Sequence, residues 1–368
     1  MKTLVIGGAG ATGQFIVNGL LAKGHELTLL NRGKHKIAEL PESLAHIICD
    51  PYDEDALTLA LQGRRFDLCI ATYGRLRAVA RVMQNKCERF ISAGGAPAYR
   101  GYMNAALWQP EGLPAPTDEK APLVSSSEED EKGYRIVQTE RALFDLIPNA
   151  THFRYPYVYG PYQMVPREWC IVRRIRDRRQ AIIIPDGGLT LQTYGYAENI
   201  AHAVLLAVDQ PQQAAGEIFN CGDAVCMSLR QVVEAIASAL GHSWDLVSMP
   251  NELCSVGLPM LGQPQSTHRL LDIGKLKHKL GYTDLVEPVE ALAKTARWLM
   301  ENQPEPGAME EMVLQDPFDY AAEDKIISAW KSLQQNIPDD SVFSVPPGVG
   351  MSYSGPGGRA RSNTQFKL

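Results

Sequence analysis

Three glycines set the chemistry to look for first. Gly7, Gly10 and Gly13 stand at G-x-x-G-x-x-G spacing, directly after the apolar, β-branched run Thr3-Leu4-Val5-Ile6. There the first glycine permits a tight turn, the second lets the backbone approach a pyrophosphate, and the third lets the following helix pack close to the sheet. The helix start, with Ala11 and Thr12, offers free amide groups and the positive end of the helix dipole to an anion. A dinucleotide is the ligand such a turn holds. Further on, a second apolar run ends in Asn31-Arg32-Gly33-Lys34. An acid there would accept hydrogen bonds from the adenosine ribose, whereas a cation suits a 2′-phosphate. Arg32, helped by Lys34, therefore predicts NADP ahead of NAD, with Asn31 beside them.

The elements that must carry this turn follow from the apolar periodicity. Strands are expected over residues 3–6, 26–30, 45–50, 66–72 and 89–95. Helical segments alternate with them, the first bearing Phe15, Ile16, Leu20 and Leu21, the next two covering residues 55–62 and 79–83. This alternation predicts an α/β fold: a Rossmann, doubly wound parallel sheet with a smaller C-terminal α/β substrate lobe. Ligands bind at the carboxyl ends of such strands. Asp50, Ala71, Thr72 and Ser92 become pocket candidates by position alone.

Composition removes several alternatives. With 36 basic against 42 acidic residues the net charge is −6, which excludes a generally basic nucleic-acid binder. No run of about 18 apolar residues occurs, so no membrane-spanning helix is expected. The N-terminus reads as a strand rather than a leader. Seven cysteines are scattered without a C-x-x-C pair, which fits free thiols in a reducing cytoplasm and no zinc site. No metal-ligand cluster is visible.

Later landmarks extend the pattern: Phe153-Arg154-Tyr155-Pro156-Tyr157-Val158-Tyr159-Gly160-Pro161, then Gly195-Tyr196-Ala197-Glu198-Asn199, Gly216-Glu217-Ile218-Phe219-Asn220 and Leu280-Gly281-Tyr282. In these, together with the glycine turn and the strand ends at Asp50 and Ala71-Thr72, the chain resembles the extended or atypical short-chain dehydrogenases/reductases of the NAD-dependent epimerase/dehydratase type, over about residues 1–300. The resemblance implies that Asp50 sits near the adenine and that Ala71 and Thr72 line the cofactor. It also implies that Tyr155, Pro156 and Val158 approach the nicotinamide. It further implies an NAD(P)-dependent oxidoreductase or isomerase working on a carbonyl or alcohol carbon of a small molecule, and a homodimer.

The family's chemistry uses a tyrosine as acid–base, a lysine one helical turn later and a serine after the fifth strand. Here the relevant helix reads Glu131-Lys132-Gly133-Tyr134-Arg135-Ile136-Val137-Gln138-Thr139-Glu140. Registering on Tyr134 puts Gln138 at the lysine position; registering on Glu140 puts Ile136 there and Lys132 at the tyrosine. Neither gives Tyr-x-x-x-Lys. Three readings stay open. Tyr134 acts with charge from Lys132 or Arg135, with Ser92 as the serine; or other residues such as Tyr99, Tyr157 or Lys132 do the chemistry; or cofactor is bound without turnover, as in a sensor, scaffold or RNA-associated relative.

The expected organisation is a dinucleotide layer over residues 1–160 with parts of 190–225, a substrate lobe over 161–335 and a flexible tail over 337–368. Residues 162–179 are dense in arginine (Arg167, Arg173, Arg174, Arg176, Arg178 and Arg179). They read as a solvated helix face, with a phosphate or RNA grip as the alternative; few aromatics interleave them, so nucleic acid is not the expected partner. The substrate candidates are Tyr99, Tyr157 and Arg269, the last as an anion reader. A further helix, packed on the body, is expected from residues 316–322 and 326–333.

Overall fold

The computed structural model describes residues 1–33, 41, 44–72 and 74–345. The strands β1 (Lys2–Ile6), β2 (Glu26–Asn31), β3 (Ala45–Ile48), β4 (Phe66–Ala71), β5 (Cys87–Gly95) and β6 (Thr151–Tyr155) join Ile218–Asn220 in one seven-stranded sheet. The order across it is Ile218–Asn220, β6, β5, β4, β1, β2, β3, and every pairing is parallel. Leu4, Val5 and Ile6 have no exposed surface, as the apolar run of a strand covered on both faces requires.

Helices cover both faces. Ile16, Val17 and Leu20 of α1 (Ala11–Ala22) share a core with Ile200, Val204 and Val208 of α6 (Ala197–Asp209). On the other face Leu57 of α2 (Glu54–Ala60), Val79 and Met83 of α3 (Leu76–Met83) and Leu143 of α4 (Glu131–Leu146) form a second core. The order reverses at β1, which has β2 on one side and β4 on the other. That switch point is where an open α/β sheet leaves a crevice for a ligand.

Several expected boundaries moved by a few residues, two of them for evident local reasons. β3 stops at Ile48 instead of residue 50; it is an edge strand, and only one side of it is hydrogen-bonded. The helix expected from residue 55 starts at Glu54, because the Asp53 side chain accepts hydrogen bonds from the amides of Asp55 and Ala56. Within residues 162–179 only Trp169–Arg176 is an α-helix (α5).

Beyond the main sheet, short strands pair Tyr157–Tyr159 with Tyr194–Tyr196 and Ala181–Pro185 with Asp245–Met249. Met1–Pro317 form one compact unit and Phe318–Leu368 a second. Helix Tyr320–Gln334 covers the expected 326–333 but only residues 320–322 of the expected 316–322, because the Asp319 side chain caps its start; residues 337–345 are exposed, and the rest of the expected tail lies outside the described residues.

Candidate dinucleotide and substrate site

The turn after β1 is built as its spacing requires. Gly7 and Gly8 have φ of +109° and +74°, in the region that favours glycine. A Cβ on Gly13 would lie 2.5 Å from the backbone carbon of Gly8, so only glycine lets α1 start this close to β1. Nothing lies within 4 Å of a Cβ built on Gly10, which leaves the backbone open on that side, and no side chain caps α1. Asn31 braces the turn. Its amide nitrogen donates to the Gly7 carbonyl at 3.1 Å, and its oxygen accepts from the Gly33 amide at 2.7 Å and faces His46 Nε2 at 3.0 Å.

These residues form one side of a cavity of about 750 Å³ at the carboxyl ends of β1, β2 and β4. Gly7, Gly10, Thr12, Gly13, Asn31, Arg32 and Thr72 all line it. Thr72 is held by its amide, which donates to the Ile6 carbonyl at 3.1 Å. Beside Thr12 lies the buried hydroxyl of Tyr155. A polar ligand in the cavity suits the uncapped amides.

The other expected cofactor residues fall elsewhere. Ala11 is buried as the first residue of α1, and Ala71 sits in the core at 1% exposure. Val158 packs against the sheet core, and Pro156 is buried behind Tyr155. Asp50 is exposed and off the cavity; its carboxylate accepts from the Tyr52 amide at 3.0 Å, a local turn at the sheet edge. Lys34 lies outside the described residues. Sequence reasoning missed the facing wall, which comes from Tyr162, Gln163, Met164 and Pro166 and from Trp298 to Glu310. No repeated spacing marks those segments.

The three catalytic candidates do not converge. Ser92 is mid-strand and 1% exposed, with its hydroxyl 2.8 Å from Nδ1 of buried His152; the end of β5 carries Gly94 and Gly95 instead. Ser92 is therefore part of the sheet interior and out of a substrate's reach. Gly133 fixes the start of α4: a Cβ there would sit 2.6 Å from the Pro97 carbonyl. Tyr134, the next residue, is half-buried against Ala98, Val124 and Val137. Lys132 is exposed, and Arg135 reaches Glu131 at 3.8 Å. Residues one or two apart on a helix do not share a face, so neither cation is placed over the Tyr134 ring by helix geometry.

His152 belongs to a buried polar chain. Its Nε2 is 3.4 Å from Glu140, which takes a bidentate pair from Arg154 at 2.9 and 2.6 Å. Burial alone would raise the Glu140 carboxyl, but Arg154 and His152 outweigh it and hold the group at about 2. Arg154 stacks over Tyr99, 4.7 Å from the ring centre, and the Tyr99 hydroxyl donates to Asn220 at 2.7 Å. Tyr99, a substrate candidate from sequence, is thus a fully buried strut of this chain. Tyr157 likewise spends its hydroxyl inward. It donates to the Val165 carbonyl at 2.7 Å, lies 3.2 Å from Glu168 and accepts from the Arg167 amide at 2.8 Å.

Arg269 is different. It is 7% exposed, stacks over Tyr102 at 4.7 Å and reaches one carbonyl, that of Gly262, at 3.5 Å. No carboxylate pairs with it among the described residues. Burial, with Arg167 nearby, pulls its pKa below the ordinary arginine value. Three arginines of α5 are not a solvated face, whereas Arg178 is exposed. Arg174 makes a bidentate pair with Asp316 at 2.7 and 3.1 Å, Arg173 pairs with Glu311, and Arg176 pairs with Asp177.

Residues 131–222 match the model of the NAD dependent epimerase/dehydratase family. Among solved structures, the fold matches UDP-glucose 4-epimerase of Thermotoga maritima, with UDP-glucose, at a TM-score of 0.66 and 19% identity, covering 83% of this chain and all of that one. At that identity the likeness is one of fold. The dTDP-glucose 4,6-dehydratase of Bacillus anthracis, in complex with NAD, matches at 0.62 and 15% identity, over 82% of this chain and 97% of that one. By sequence, the chloroplast stem-loop binding protein of 41 kDa b from Arabidopsis thaliana is 26% identical over 314 residues, 79% of this chain and 77% of that protein. UDP-glucose 4-epimerase of Mycolicibacterium smegmatis is 25% identical over 335 residues, 81% of this chain and 98% of that protein. Among the described residues, no helix is long and apolar enough to cross a membrane.

Proposed function

We propose that this chain is an NAD(P)-dependent oxidoreductase or isomerase of the epimerase/dehydratase type, acting on an alcohol or carbonyl carbon of a small molecule. The observation that carries the reading is the cavity in which the uncapped α1 amides, the glycine turn and Arg32 face one space at the sheet's switch point. Residues 7–13 would hold the diphosphate, and Arg32 favours NADP over NAD through its charge toward a 2′-phosphate. The bound nicotinamide supplies a hydride donor or acceptor.

Arg269, with Arg167 beside it, is the anion reader for the substrate, because a buried guanidinium without a carboxylate is completed by an anionic ligand. The similar structures carry UDP-glucose in one case and act on dTDP-glucose in another, so nucleotide-activated sugars are the first class to test. Tyr134 is the acid–base candidate, working without the usual lysine. The Arabidopsis relative's name attaches stem-loop binding to this fold. In this chain Arg173, Arg174 and Arg176 pair with the protein's own acids, which withdraws them from an RNA backbone. A homodimer in a reducing, cytoplasmic setting completes the reading; all seven cysteines are unpaired.

Calorimetry with NADP and NAD, followed by absorbance at the reduced-nicotinamide band with a panel of nucleotide sugars, tests it. Tighter NADP binding and substrate-dependent absorbance change are expected, with Tyr134→Phe lowering turnover by about a hundredfold or more. Unchanged turnover in that variant would remove Tyr134 from the chemistry; no heat with either dinucleotide would remove the function.

A further inference from the structure

We propose that residues 302–316 form a latch over the dinucleotide cavity, which must open for cofactor to enter or leave; this rests on the reading of that cavity given above. Asn302, Gln303, Pro304, Glu305, Ala308 and Glu310 line the same cavity as Gly7, Gly10, Gly13 and Arg32. A dinucleotide lying on the glycine turn therefore has this segment as a wall.

Beyond its bonds to the end of the helix it follows, the segment makes polar contacts to α5. Glu311 accepts from the Trp169 indole at 3.0 Å and from the Gly307 amide at 2.9 Å, and pairs with Arg173. Asp316 takes both arms of Arg174, and Gln303 accepts from Arg176 at 2.9 Å. Trp169 and Arg174 are at or below 1% exposure, so the catch is set in the body of α5.

Apolar anchoring is sparse by contrast. Met309, Met312 and Val313 are 67%, 65% and 45% exposed, and Leu314 is the buried apolar side chain of the stretch. A segment with few buried apolar contacts opens at lower free-energy cost than the core around it. Glu305 and Glu310 also bring negative charge to the cavity that would hold an anionic diphosphate. The closed position thus depends on the α5 arginines and Trp169, not on attraction to the cofactor. The arginine-rich stretch has its use here: it is the catch of a gate, which is why it is spent internally.

The test is made on the full chain. Hydrogen exchange of residues 302–316 is compared with and without NADP, and NADPH release is followed by fluorescence after mixing with excess NADP. The segment is expected to gain protection on binding. Asp316→Asn and Glu311→Gln are expected to speed NADPH release about tenfold or more, with a smaller change in association. Binding without added protection of 302–316, or unchanged release in both variants, overturns the latch and leaves the cofactor assignment intact. Absence of any dinucleotide binding removes both. Should Asp316→Asn fail to fold, the exchange comparison on the unaltered chain and Gln303→Ala still decide the matter.

Discussion

Arg154 and Arg269 are both buried, and both stack on a tyrosine at 4.7 Å. Arg154 is paired by both oxygens of Glu140, and the chain continues through His152 to Ser92. Arg269 has Arg167 as its charged neighbour and no carboxylate among the described residues. A buried charge costs several kcal/mol unless it is compensated. Arg154 is compensated by the protein and is structural; Arg269 has no such compensation among the described residues, which is why it is proposed as the anion reader. On the proposed function, the contrast separates a residue that holds the fold from one proposed to read a substrate.

The sharpest way to break this contrast is to remove the acid. Glu140→Gln leaves Arg154 buried beside a neutral amide and should cost about 3–5 kcal/mol of stability, read as a lower denaturant midpoint. The double variant Glu140→Leu with Arg154→Met removes both charges and should recover much of that loss. A single variant as stable as the unaltered chain would show that the pair contributes nothing to the fold.

The converse holds for Arg269. Arg269→Met removes a buried cation that no acid compensates, so stability should be unchanged or raised by about 1 kcal/mol. Binding of UDP, measured by calorimetry, should weaken by about tenfold to a hundredfold, the worth of a charged hydrogen bond. Loss of stability with unchanged UDP affinity would make Arg269 a second Arg154.

These differences explain what was legible in the sequence. The glycine turn, β1 and the end of β2 lie within about thirty residues, and each part follows from backbone geometry, so Gly7, Gly10, Thr12, Gly13, Asn31 and Arg32 were found and do face the cavity. The parallel sheet was legible for the same reason, from the alternation of strand and helix periods. The Ser92 hydroxyl and Tyr99 could not be placed, because their partners, His152 and Asn220, are 60 and 121 residues away. Their types suggest chemistry and their burial gives them to packing. The arginine stretch misled for a related reason. Its charges are cancelled by Glu311 and Asp316 from a segment with no periodicity to announce it. Asp50 fell outside the cavity because the β3 edge ends early and its carboxylate turns to the Tyr52 amide.

The smallest expected effect lies on the substrate side of the comparison, at Glu168. This carboxyl is 4% exposed, and burial pushes it up to about 7, against the hydrogen bond from Tyr157 and the charge of Arg167. The folded chain therefore holds a proton here that the unfolded chain releases near its ordinary value of 4.5. The stability that this protonation contributes is complete below that value and is lost as pH rises through about 7. The melting temperature should fall from about pH 5 to about pH 8, and Glu168→Gln should flatten part of that slope while keeping an acceptor for Tyr157. Asp223, raised by burial to about 6, titrates in the same window and leaves a residual slope. Glu140, held at about 2, releases its proton well below the window and contributes no slope within it. An identical pH profile in Glu168→Gln would mean that Glu168 stays ionised in the fold. Arg167 would then be its partner rather than a free neighbour of Arg269, and the anion site would rest on Arg269 alone.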